Sequence, residues 1–118
     1  MKLAIFMRKD LDMRAGKMCA QAGHASVLAY DKSLKDVKRF STIGIRWLND
    51  GQKKIVLKVP DEQTLNNIES HAVRSHLAVC RVVDFGLTQI SPNTLTCIAV
   101  GPDEDEKIDE ITKGYLLL

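Results

Sequence analysis

Four short apolar runs organise the chain: Leu3–Met7, Ile55–Val59, Val79–Val83 and Leu95–Val100. Each has the length of a strand and includes β-branched residues. They are predominantly apolar rather than alternating, as central strands covered on both faces are. Helical stretches lie between the first two runs: Ala15–Tyr30, rich in alanine, and Leu34–Leu48, interrupted near Ser41-Thr42 and Gly44. Pro60-Asp61-Glu62 opens another helix, with Leu65, Ile68 and Ala72 on one face and Asp61 as its N-cap. A last helix, Glu104–Lys113, stops at Gly114 in C-cap position.

The order β-α-α-β-α-β-β-α predicts an α/β fold: a single three-layer domain over residues 1–118, with a mixed four-stranded sheet and helices on both faces. Strand–helix–strand crossovers make the first three strands candidates for parallel pairing. Asp84–Thr94 is too short for a helical crossover, so the fourth strand is expected to run antiparallel.

Composition narrows the classes. With 45% apolar and 27% charged residues in 118, the chain can bury a core, and global disorder is excluded. No apolar run approaches the roughly 18 residues of a bilayer span, and the N-terminus lacks the features of a signal peptide. Three cysteines, at 19, 80 and 97, form no CxxC pair or metal-ligand spacing, and buried reduced thiols of a cytoplasmic protein are expected. The formal charge of +2 hides an asymmetry: residues 1–58 carry +8 and the rest −6. That division points weakly to a polyanionic partner. Lys9, Arg14, Lys32, Lys35, Lys38, Arg39, Arg46, Lys53 and Lys54 are the basic candidates; Lys32, Lys35 and Arg39 can share a helix face. Aromatics are only 5%, which disfavours a base-stacking sheet platform.

Two segments could carry chemistry. In the helix from Ala15, about 100° per residue puts Lys17, Gln21 and His24 on one polar stripe. Met18, Ala22, Ala25 and Ala29 form a neighbouring stripe of mostly small side chains suited to lie on the sheet. The plainer alternative is a solvated first-turn lysine and a boundary histidine. Gly16-Lys17 lacks the first glycine and the following Ser/Thr of a phosphate loop, so a Walker-type nucleotide site is excluded. The second segment is Asp84-Phe85-Gly86-Leu87-Thr88-Gln89-Ile90, directly after the third run. An Asp there lies at a strand's carboxyl end, where open α/β sheets place ligands. If the first and third strands run the same way, Lys17 and Asp84 share that edge, either as a structural ion pair or as an acid/base and electrostatic pair for hydrolysis. His71 and His76 have no complementary ligands in sequence and are expected at the surface or in capping roles. Cys19 in a helix is a poor nucleophile candidate.

Met13-Arg14-Ala15-Gly16-Lys17-Met18-Cys19-Ala20-Gln21-Ala22-Gly23-His24-Ala25 resembles the signature of the archaeal/eukaryotic-type peptidyl-tRNA hydrolases, the second of two unrelated classes. The likeness continues through Trp47 with Gly51-Gln52-Lys53-Lys54, Val59-Pro60-Asp61-Glu62, Asp84-x-Gly86-x-Thr88-Gln89-Ile90-x-Pro92, Gly101-Pro102, Ile108-Asp109 and Thr112-x-Gly114-Tyr115-Leu116. It thus spans essentially the whole chain. The resemblance implies hydrolysis of the ester joining a peptide to the 3′ ribose of tRNA, without metal or organic cofactor, in a cytoplasmic homodimer. It implies catalytic roles for Lys17, Asp84 and Thr88, and substrate contacts from Gly16, Gln21, His24 and Gln89. RNA would meet the basic residues of the N-terminal half, with no part for DNA or membrane. The acidic run Asp103–Glu106 is expected to face away from tRNA. Phe85 and Leu87 depart from the family pattern, which has a small residue after the Asp and a polar one before the Thr. The alternative is a non-catalytic tRNA- or protein-binding relative of the same fold, and more distantly a small-molecule-binding domain.

Overall fold

The computed structural model describes residues 1–36, 41–85 and 90–118. Its elements are β1 (Lys2–Arg8), α1 (Ala15–Lys35), α2 (Ser41–Asn49), β2 (Lys54–Val59), α3 (Glu62–Arg74), β3 (Val79–Asp84), β4 (Thr94–Asp103) and α4 (Asp105–Thr112). This is the expected element order, with α1 running on to Lys35 rather than stopping at Tyr30.

The four strands form one mixed sheet in the order β2-β1-β4-β3. β1 and β2 pair in parallel; β4 runs antiparallel to both β1 and β3. Parallel pairing of the third strand is therefore corrected. β3 points the same way as β1 but is separated from it by β4. Burial explains the insertion. In β4 every residue after Thr94 is buried, so it needs neighbours on both edges as well as both faces. β2 and β3 carry exposed Lys54, Lys58 and Arg81, and charged residues of this kind are characteristic of edge strands.

The expectation of central strands covered on both faces holds for β1 and β4, while β2 and β3 are the edges of the sheet. In β1, Ala4 and Phe6 join Leu65, Ile68 and Ala72 of α3 and Ile108 and Ile111 of α4 in one core. Leu3, Ile5 and Met7 point the other way, toward Ala25 and Ala29 of α1 and Trp47 of α2. Asp61 caps α3: its Oδ1 accepts from the Thr64 N–H at 2.8 Å and the Thr64 hydroxyl at 2.7 Å. Trp47 donates its indole N–H to the Lys53 carbonyl at 2.8 Å and so pins the α2–β2 turn. α1 and α2 pack closely at Gly44, where a Cβ would run into the Ser33 side chain. The tail covers the outer edge of β2, through Lys58 N–H to the Leu116 carbonyl and Leu118 N–H to the Val56 carbonyl, each 2.9 Å. No helix among the described residues is long and apolar enough to cross a membrane.

Candidate active site

The common direction of β1 and β3 brings their carboxyl ends to one edge of the sheet. The loop after β1 delivers Lys17 in the first turn of α1, while β3 ends on Asp84. Lys17 Nζ lies 3.2 Å from Asp84 Oδ2, with side chains only 9% and 7% exposed. Two opposite charges so far out of water interact strongly, and each would be costly there without the other. Of the two sequence segments with chemical potential, these are the residues that meet.

Gln21, expected on a polar stripe beside the sheet-facing one, lies on the buried face itself. The stripe of α1 that is buried is Gln21, Ala25, Ala29 and Ser33, with Met18 and Ala22 only half-buried beside it. The carboxamide is held by a residue that sequence reasoning missed. Thr96 Oγ1 donates to Gln21 Oε1 at 2.6 Å, with the Val82 carbonyl as a second acceptor at 3.2 Å. The Cys97 thiol reaches the Gln21 carbonyl at 3.7 Å. The β3–β4 register explains how Thr96 gets there: Val82 pairs with Cys97 but Val83 with Leu95. Thr96 is the extra residue of a bulge, and the local twist re-aims its side chain toward α1. The available signal was a hydroxyl inside an otherwise apolar run, since a fully buried hydroxyl must find a partner.

Lys17, Gln21 and Asp84 line a cleft of about 850 Å³ between α1 and β3, together with His24, Val27, Leu28, Arg81, Val82, Val83 and Phe85. His24 is exposed at its rim. Gly16 is exposed in the first turn of α1 and is not among the cleft's lining residues. Thr88 and Gln89, with Gly86 and Leu87, lie outside the described residues, as do Lys38 and Arg39. The arrangement supplies a carboxylate able to take a proton from water, an ammonium for developing negative charge, and an amide fixed by a buried hydroxyl.

The charge division is partly neutralised within the fold. Arg46 faces Glu104 at 3.6 Å and Lys53 faces Asp105 at 3.8 Å, so basic residues of the first part meet acids of the second. Lys32 donates to the Val79 carbonyl at 2.7 Å, and Lys35 pairs with Asp31 at 2.8 Å. The run Asp103–Glu106 begins where β4 pairs with Lys2, at the opposite end of β1 from the cleft, and none of it lines the cleft. The cleft's second cation, Arg81, comes from the acidic part of the chain and is held by Glu69 at 2.8 Å. Expected buried thiols are corrected at one position: Cys19 is exposed, Cys80 half-buried and Cys97 buried. Burial pushes the Cys97 thiol up to about 12 and raises that of Cys80 as well. His71 and His76 are both exposed, as expected. Among the described residues, no three His, Cys, Asp or Glu side chains converge as metal ligands would.

The comparisons with known proteins agree with one another. The family described as Peptidyl-tRNA hydrolase PTH2 matches residues 1–118. A peptidyl-tRNA hydrolase of Methanocaldococcus jannaschii is 46% identical over 100% of this chain and 99% of its own length. Those of Nanoarchaeum equitans and Thermoplasma acidophilum are 46% and 44% identical, covering 98% and 99% of this chain and 97% of each relative. A whole-chain family match, relatives of the same length and a buried Lys–Asp pair at the expected sheet edge have one reading: the chain belongs to the peptidyl-tRNA hydrolase family PTH2.

Proposed function

We propose that Lys17 and Asp84 carry the hydrolysis of peptidyl-tRNA by this member of the family. The observation that supports these roles is the 3.2 Å contact between two nearly buried opposite charges in an open cleft. Ester hydrolysis needs an oriented nucleophilic water, stabilisation of the oxyanion, and a proton for the departing ribose oxygen. Asp84 takes a proton from water as the water oxygen attacks the ester carbonyl carbon. Lys17 stands beside the developing oxyanion. When the bond from carbon to ribose oxygen breaks, the proton held by Asp84 passes to the ribose oxygen. The products are tRNA with a free hydroxyl and a peptide with a free carboxyl group, which releases its remaining proton to solvent. Gln21 and His24 hold the carbonyl or the ribose. Thr88 is assigned to orient the water, and Gly16 and Gln89 to substrate contact, on family likeness alone.

The tRNA backbone is proposed to meet basic residues on the same carboxyl edge. Lys9 follows β1, and it lines a groove of about 400 Å³ with Lys58. The protein is proposed to act in the cytoplasm as a homodimer. The non-catalytic alternative is disfavoured, because a binder has no use for the costly Lys–Asp pair.

The test is release of free peptide from N-blocked aminoacyl-tRNA, with and without EDTA. A transition-state contact of this kind contributes about 3–4 kcal/mol. Folded Lys17→Ala and Asp84→Asn should therefore lose at least a hundredfold in turnover, with EDTA-resistant release by the unmodified protein. Near-normal turnover in either variant would refute the assigned roles, and tRNA binding without release would favour the binding relative.

A further inference from the structure

Beyond the reacting ester, the cleft continues as a groove whose occupant chemistry is legible. α1 lies along β3 and is tied to it at both ends. Lys17 meets Asp84 at the carboxyl end of β3, and Lys32 holds the Val79 carbonyl at its start. From the reactive end the stripe of α1 reads Lys17, Gln21, His24, Leu28, changing from polar to apolar. Val27 is 69% exposed and Phe85, directly after Asp84, 79% exposed; Leu28, Val82 and Val83 complete the wall. The neighbouring hollow shares Leu28 and Arg81 with the cleft and continues past Lys32 toward Val79, so the depression follows β3 over its length. On its outer side β3 pairs with no strand among the described residues.

We infer that this groove receives the carboxyl-terminal residues of the peptide in extended form and favours apolar side chains just upstream of the ester. The inference rests on the hydrolase reading above, which places the ester carbonyl at Lys17 and Asp84. The peptide is bonded directly to that carbonyl and must leave the reactive pair along some surface. From Lys17 to Leu28 α1 rises about 16 Å. An extended chain advancing about 3.3 Å per residue covers that with four or five residues. An open strand edge suits a peptide, whose backbone can add to it whatever its sequence, while side-chain preference comes from the wall. A nucleotide would sit at the polar end, among Lys17, Gln21 and His24, where the ester itself is placed, and leaves the apolar wall of Val27, Leu28, Val82, Val83 and Phe85 to peptide side chains.

The experiment holds the tRNA body and the esterified residue constant and varies what precedes it. Acetyl-Leu-Leu-Gly-tRNA and acetyl-Gly-Gly-Gly-tRNA are compared by kcat/KM for the full-length protein and for Val27→Ser, Leu28→Ser and Phe85→Ala. Val27, Leu28 and Phe85 are exposed, so these substitutions spare the core. A shape-selective hydrophobic site discriminates roughly tenfold or more per group, so the leucyl substrate should lead by about tenfold. Val27→Ser and Leu28→Ser should each bring the ratio close to one. Equal rates on the two substrates in the unmodified protein overturn the inference while leaving the hydrolase intact; no release from either substrate removes the hydrolase reading and the groove with it. A variant that lowers both rates alike also overturns it, because the residue then touches tRNA common to both. So does a Phe85→Ala protein whose oligomeric state changes by sedimentation while its ratio does not.

Discussion

Separating catalysis from stability at Lys17 and Asp84 is the sharpest test, because one pair serves both. At an effective dielectric of about 20, charges 3.2 Å apart attract by about 5 kcal/mol. Withdrawing each ion from water costs several kcal/mol, so the intact pair contributes little net stability. Removing one partner is different: it takes the opposite charge away from the other in a site where neither side chain is more than 9% exposed. Lys17→Met and Asp84→Leu should therefore each destabilise the fold by about 3 kcal/mol, the low end for buried pairs because one side opens on a cleft. The double variant buries no charge and should return to within about 1 kcal/mol of the parent, the sign of a coupling of about 5 kcal/mol in the cycle. Urea unfolding followed by circular dichroism reads the stabilities, and peptide release from N-blocked aminoacyl-tRNA reads the chemistry. All three variants should be at least a hundredfold slower, including the stable double variant. Additive destabilisation in the cycle would show that the charges do not depend on each other, and activity recovered in the double variant would refute catalysis by the pair.

Three other outcomes follow from the surroundings of the site. Thr96→Val removes the donor to Gln21 Oε1 and leaves a buried amide oxygen without it; a loss of about 1–3 kcal/mol in urea unfolding is expected, with lower kcat. Thr96→Ser, which keeps the hydroxyl, should restore most of the rate. Gly44→Ala presses a methyl group into the Ser33 side chain and should cost about 1–3 kcal/mol through displacement of α2 from α1, read as a lowered unfolding midpoint. Alkylation at pH 8 should modify exposed Cys19 first and spare Cys97, whose thiol is pushed up to about 12 and is almost wholly un-ionised there; mass mapping that finds Cys97 labelled early in the native protein would contradict its burial.

Much of this protein was legible along the chain because the deciding physics is local. A strand buried on both faces must be apolar at consecutive positions, and the four runs became four strands. Asp61 capped its helix because an N-cap needs only a side-chain oxygen within reach of the first turn. Lys17 and Asp84 were readable as a pair because strand direction alone decides which sheet edge a strand's end reaches.

What the tertiary structure alone decided depends on partners distant in sequence. The position of β4 between β1 and β3 reflects competition among strands for two neighbours. Exposed Lys58 and Arg81 mark the losers only once the whole sheet is compared. The depth of Gln21 was hidden because helical spacing gives relative angles, not which angle faces the sheet; the β4 bulge supplies the buried hydroxyl that makes an inward amide tolerable. The +8 and −6 parts were visible from composition. Folding then set Arg46 and Lys53 against Glu104 and Asp105 at the end of β1 remote from the cleft, because opposite charges on neighbouring elements pair wherever the fold brings them together. The chemistry was thus written in residue types, and its location and its supports in contacts that only the folded chain makes.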